Sequence, residues 1–173
     1  NRTATGGVVG KTIDSAVKIK NCIVRGVVEI TKGINNTYTG GIVGWQSAAG
    51  AEITGCEVYA TVKSAGERVG GIVGHYQGGI LSGCKFYGEV NATTQFAGGI
   101  AGITSSESTI ENCLSSGKIV CGTSVGGIVG KNENTLTIKC CESSSEIAIN
   151  VNNVSGVGGI LGVAVNDKAV NVE

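Results

Sequence analysis

Seven cysteines, one histidine and a scatter of carboxylates are the residues of this 173-residue chain whose types could support chemistry. Thiols and imidazoles at short paired spacings hold zinc, but only Cys140 and Cys141 are close, and the sole histidine, His75, is far from both. Paired acids on one face cleave glycosidic bonds. Here Asp14 and Asp167 lie at opposite ends, while Glu57, Glu89, Glu142 and Glu146 recur at wide intervals with Lys118 among them. Thr5-Gly6-Gly7-Val8-Val9-Gly10-Lys11-Thr12 resembles a phosphate-binding loop, but that motif needs glycine five residues before Gly10, where Thr5 stands. No Gly-x-Ser-x-Gly elbow and no Asp-bearing calcium phrase is present. The expectation is a chain with no catalytic residue, no cofactor and no metal, and no enzymatic activity.

What recurs does so for shape. Gly-Gly-aliphatic-aliphatic-Gly occurs with its first glycine at Gly6, Gly40, Gly70, Gly98, Gly126 and Gly158, at intervals of 34, 30, 28, 28 and 32 residues. A period near thirty with small insertions marks a repeat array. Cys22, Cys56, Cys84, Cys113 and Cys141 follow the successive phrases by 14 to 16 residues. Three positions before each cysteine stands Ile19, Ile53, Leu81, Ile110 or Ile138, and six positions after it Val28, Val62, Val90, Ile119 or Ile147.

From each cysteine onward the apolar period is two, a strand signal. Val24, Val58, Phe86, Ser115 and Ser143 share the cysteine's face, with Arg25, Tyr59, Tyr87, Ser116 and Ser144 on the other. The aliphatic residue and the cysteine are an odd number apart, so both face inward only if the chain bends between them. Asn21, Gly55, Gly83 and Asn112 stand just before the cysteine, and these residue types enter the left-handed region most cheaply. The fifth unit has Cys140 there, so its corner is expected to be strained or differently built.

These features predict an all-β fold: a parallel β-solenoid of about five to six rungs, one repeat per rung, with residues 1–173 as one domain. Like positions would then stack at about 4.8 Å. The five repeat cysteines would form an inward column of free, buried thiols, since parallel stacking makes the disulfide torsion unfavourable. For Cys121 and Cys140, pairing with a neighbouring column cysteine stays open. Outside, Glu89, Lys118 and Glu146 would alternate in sign, and Tyr59 and Tyr87 would stack.

Thirteen basic and thirteen acidic side chains leave no basic stripe for nucleic acid. No apolar run approaches the roughly 18 residues of a spanning helix, so no membrane insertion is expected. With Asn1 first and no methionine, the chain reads as a piece of a larger protein joined to flanking domains. Trp45 and His75 follow successive glycine phrases at one offset, and Tyr76 adjoins His75, making these three a candidate ligand face for stacking on sugar rings. Sequons stand at Asn1, Asn35, Asn91 and Asn153, relevant only to a eukaryotic product. Open rungs at both ends invite end-to-end self-association.

Gly40-Gly41-Ile42-Val43-Gly44 and Ile110-Glu111-Asn112-Cys113-Leu114-Ser115-Ser116-Gly117-Lys118-Ile119 resemble the GLUG repeat pattern, over nearly the whole chain and five times. The resemblance implies a bacterial cell-surface or secreted protein whose repeats serve as a structural or adhesive scaffold for glycans or host proteins. Such repeats also adjoin IgA-specific metallopeptidase domains, but no His-Glu-x-x-His phrase is present to carry that activity. Two alternatives stay open: an accessory region that positions a protease or polysaccharide-active domain, and a β-helix enzyme that itself degrades polysaccharide.

Overall fold

A computed structural model describes residues 2–14, 16–32, 36–150, 152, 154–165 and 168–173. Within it every regular element is a β-strand, and every strand pairing is parallel. One passage of the chain makes five short strands, seen in Thr37–Gly40, Val43–Gln46, Glu52–Thr54, Glu57–Val58 and Thr61–Ser64. Equivalent strands of successive passages join into five sheets, here sheets 1 to 5 in that order; the first three have six strands and the last two have five. The fold is the expected β-solenoid. Its fully enclosed part covers about four turns of ~29 residues, slightly fewer than the five to six rungs expected. The difference lies at the ends, where the first and last passages each leave one edge to solvent and bury little.

The register is the sequence repeat made physical. Gly6, Gly40, Gly70, Gly98, Gly126 and Gly158 stand opposite one another in sheet 1. The second glycine of each phrase explains why the phrase cannot vary there. A Cβ on Gly71 would collide with the Gly99 carbonyl of the next rung and with the Phe86 ring across the interior. The chain therefore turns from sheet 1 into sheet 2 with backbone touching backbone, a contact only glycine permits.

The corner before each cysteine is left-handed in all five repeats: Asn21 (φ 54), Gly55 (φ 64), Gly83 (φ 63), Asn112 (φ 55) and Cys140 (φ 49). Each corner amide still donates to the following rung, as in Gly55 N to Ser82 O at 3.0 Å and Cys140 N to Glu173 O at 2.9 Å. The ladder thus runs unbroken through the bend, which satisfies backbone groups that would otherwise be orphaned. Cys140 adopts the common geometry without the residue type suited to it, which costs about 1–2 kcal/mol.

Beyond the bend the cysteine column forms as expected. Cys56, Cys84 and Cys113 are buried, Cys22 and Cys141 at the two ends half-buried, and all seven thiols are free. Each column thiol from Cys56 onward lies 3.5 to 3.9 Å from the carbonyl of Ile19, Ile53, Leu81 or Ile110 in the rung before. Neighbouring thiols, then burial, push Cys56 and Cys113 well above the ordinary thiol range. Cys121 lies in a separate buried position, donating to Gln95 O at 3.4 Å, and burial raises its pKa too. Cys140 is exposed.

Two substitutions test these contacts. Gly71→Ala is expected to lower unfolding stability by about 3 kcal/mol in urea titration, because neither the Gly99 carbonyl nor the packed Phe86 ring can retreat. Cys140→Asn, which supplies the residue type found at Asn21 and Asn112, is expected to raise stability by up to about 1 kcal/mol in the same assay.

Candidate functional site

Two groups of aromatic side chains stand on the coil, and the structure gives them opposite roles. The first lies where sheets 1 and 2 leave the glycine apex. Trp45 and His75 are register neighbours in sheet 2, with parallel rings 6.1 Å apart and 8° between planes. Tyr38 of sheet 1 packs against both, at 5.1 and 5.0 Å. Cations close the cluster: Lys11 Nζ sits 3.8 Å and Arg2 Cζ 5.0 Å from the Trp45 ring centroid, and Arg68 Cζ 5.1 Å from that of Tyr38. Such contacts are attractive at about 0.5–2 kcal/mol each, more as water is excluded.

This seam is not the open platform expected of Trp45, His75 and Tyr76. Trp45 is 7% exposed and His75 8%, each held by a side-chain hydrogen bond: Trp45 Nε1 donates to Gln77 Oε1 at 2.7 Å, and His75 Nε2 meets Ser105 Oγ at 2.6 Å. Tyr76 does not belong to it at all. Successive strand residues face opposite ways, so Tyr76 turns from His75 into the main core, completely buried, its hydroxyl without a partner among the described residues. Burial, followed by the charges of Arg68 and Arg2, pushes the His75 pKa down to about 3.

The second group is exposed. Tyr59 and Tyr87 project from the corners after sheet 4, 40% and 36% exposed, their rings stacked at 5.0 Å with 20° between planes. The stacking read from their common offset is present. Arg25, one rung earlier, covers the outer face of Tyr59 at 4.2 Å. In the following two rungs the equivalent residues are Ser116 and Ser144, both exposed and small, so the far side of Tyr87 borders a shelf. Tyr59 OH donates to Glu57 Oε2 at 2.8 Å, and Lys85 Nζ lies 3.5 Å from Glu57 Oε1. The tyrosine hydroxyl foremost, with Lys85 contributing, holds the Glu57 carboxyl below its usual range, and the same hydrogen bond raises Tyr59. The group offers stacking faces, a carboxylate and two cations on backbone that cannot shift independently of its neighbours.

The remaining carboxylates are spread along the outside. Glu89, Lys118 and Glu146 stand in register in sheet 5, with Lys118 Nζ 3.9 Å from Glu146. Glu142 is exposed, and Asp14 caps a turn by accepting from Ala16 N at 2.8 Å. Asp167 and the sequons at Asn1, Asn35 and Asn153 lie outside the described residues. Asn91 is half-buried beside an open depression of about 370 Å³, lined also by Glu29, Lys63, Ser64 and Thr93. Among the described residues no three His, Cys, Asp or Glu side chains converge as a metal site would require. Sequence reasoning missed Tyr38, Arg2 and Lys11 as seam residues; Tyr38 stands two positions before its glycine phrase, where other repeats carry Arg68 or Phe96. Comparison with family models, with curated proteins and with solved structures finds no match to this chain.

The seam makes a pH prediction. A histidine whose folded pKa lies below its unfolded value is protonated first in the unfolded chain, so stability falls as pH drops through the ordinary 6.5 toward 3. Between pH 7.5 and 5 this contributes a loss of about 2 kcal/mol, and His75→Gln is expected to flatten it in denaturant titrations. Because His75 is the sole histidine, its ring resonances by NMR should not titrate between pH 8 and 4.5.

Proposed function

We propose that this chain is a non-catalytic structural and adhesive repeat module of a bacterial cell-surface or secreted protein, presenting a lateral face to glycans or host proteins. The observation that carries this reading is the exposed Tyr59–Tyr87 stack. Exposed aromatic rings at a fixed separation, bordered by a carboxylate and cations able to bond hydroxyl groups, suit a saccharide, which offers apolar faces between polar edges. The group supplies neither a poised nucleophile nor a free acid–base pair, because Glu57 is already bonded to Tyr59 and paired with Lys85. The GLUG-like phrases are the second support, and the surface location is drawn from that resemblance. The rigid coil suits a stalk: each rung rests only on its neighbours, so length is added without changing the lateral face.

Binding of the purified chain to a panel of immobilised glycans and host matrix proteins tests the reading. Tyr59→Ala with Tyr87→Ala is expected to weaken capture at least about tenfold, equivalent to about 1.4 kcal/mol. The melting temperature should change little, since both rings are substantially exposed. Capture unaffected by the double substitution, or no capture of any panel member, would remove the adhesive reading.

A further inference from the structure

The tyrosine ladder stops with one ring face uncovered. Tyr87 N donates to Val58 O at 2.8 Å, and Ser116 N donates to Phe86 O at 2.9 Å. The same ladder bond therefore sets residue 116 above Tyr87 as it sets Tyr87 above Tyr59, whose rings stack at 5.0 Å. A ring at position 116 would carry the stack into the fourth rung, but the exposed Ser116 leaves that space to solvent. Both faces of Tyr59 are taken, one by Arg25 at 4.2 Å and the other by Tyr87. Tyr87 has only one face taken, and the other turns toward Ser116. The gap belongs to the side of the coil: its strand, Leu114–Ser115, pairs with Lys85–Phe86 before it and Glu142–Ser143 after it.

Its two borders differ in chemistry. On the sheet 5 side Glu89 and Lys118 stand in register, and on the sheet 4 side Lys85 and Leu114 do. Each cation already faces a carboxylate, Lys85 at 3.5 Å from Glu57 and Lys118 at 3.9 Å from Glu146. Glu89 makes no ion pair among the described residues. An anionic ligand would thus meet an unneutralised carboxylate, whereas hydroxyl groups could donate to that carboxylate and accept from Lys118 and Ser116.

We infer that this gap is a subsite for one neutral hexopyranose unit of a glycan, stacked on the open face of Tyr87 and edged by Glu89, Lys118 and Ser116. The inference rests on the saccharide reading above and adds the ring that makes the contact, the size of the unit and its charge. A pyranose chair turns axial C–H bonds toward an aromatic face while its equatorial hydroxyls point outward to polar neighbours. The rung separation of about 4.8 Å leaves room for one such ring above Tyr87. A flat aromatic ligand would also stack there, but it would desolvate Glu89 and Lys118 without replacing their hydrogen bonds to water.

Titration of the chain with methyl β-galactopyranoside, methyl β-glucopyranoside and methyl β-glucuronide, read on the tyrosine ring resonances by NMR, tests the subsite. A neutral glycoside is expected to shift the Tyr87 ring saturably, and the glucuronide to bind at least about fivefold more weakly. Glu89→Gln should narrow that difference. Ser116→Leu lays an isobutyl group over the free face of Tyr87 and should weaken the neutral glycoside at least about tenfold. Its circular dichroism and thermal transition should stay unchanged, because position 116 is exposed. Failure of both neutral glycosides to move Tyr87, a glucuronide bound as tightly as they are, or affinity undiminished in Ser116→Leu would each overturn the inference. Glycan capture by the unsubstituted chain that survives Ser116→Leu would leave the adhesive reading standing while removing this subsite; loss of all capture would remove both.

Discussion

Everything in this molecule depends on one chain passage lying in register on the next. Parallel ladders along all five sheets tie strand amides and corner amides alike to the next rung, where a proline would remove a donor, and the chain contains no proline. The glycine phrase makes such stacking compatible with a narrow coil. Where sheet 1 turns into sheet 2 the two approach so closely that no side chain fits between them, and the space a Cβ would take at Gly71 is shared by a carbonyl and the Phe86 ring. The large residue and the glycines around it are one device. Phe86 spans the interior because Gly71 and Gly117 leave room at its two sides.

The same stacking explains why cysteine recurs in the interior without disulfide chemistry. Each column thiol is near the carbonyl three residues before the next cysteine down, to which its S–H donates weakly, an interaction that a small apolar side chain could not make. Parallel strands hold successive sulfurs side by side and pointing one way, whereas a disulfide needs its two Cβ–S bonds turned about a right angle. The thiols therefore serve as small packing groups with a weak donor, and their neighbours and burial keep Cys56 and Cys113 protonated.

Most of the architecture was legible because it depends on offsets, and in-register stacking turns offsets into contacts. The column of Cys22 to Cys141, the left-handed corners and the Tyr59–Tyr87 stack all follow from equal spacing within the repeat. At Cys140 the sequence left two outcomes open, a strained corner or a differently built one; the ladder on either side dictates φ, and the residue adopts the common left-handed geometry at a cost. The aromatic seam was read only in part. Equal offset correctly set His75 beside Trp45, but Tyr76 was grouped with them through adjacency in sequence, which in a strand means opposite faces. Exposure was misjudged because Tyr38, Arg2 and Lys11 reach the seam from sheet 1 and the first rung. Contact between sheets is set by how sharply the glycine apex folds, and no count of residues along one strand carries that angle.

A coil of this kind separates stability from recognition. Inward positions are constrained by the rungs above and below, so a change there is felt by three passages at once. Outward positions at the corners touch only their ladder neighbours, which is why Tyr59 and Tyr87 can give way to Ser116 and Ser144 without altering the backbone beneath. Chemical variety is thereby confined to lateral ladders, where a ligand would meet side chains already spaced by the rung separation. That preorganisation lowers the ordering cost of binding, and it argues that any ligand of the tyrosine stack is itself extended along the coil axis. A compact partner would reach one rung or two. A chain of repeating units could engage Arg25, Tyr59, Tyr87 and the serine shelf in succession, each contact modest and the sum selective for length.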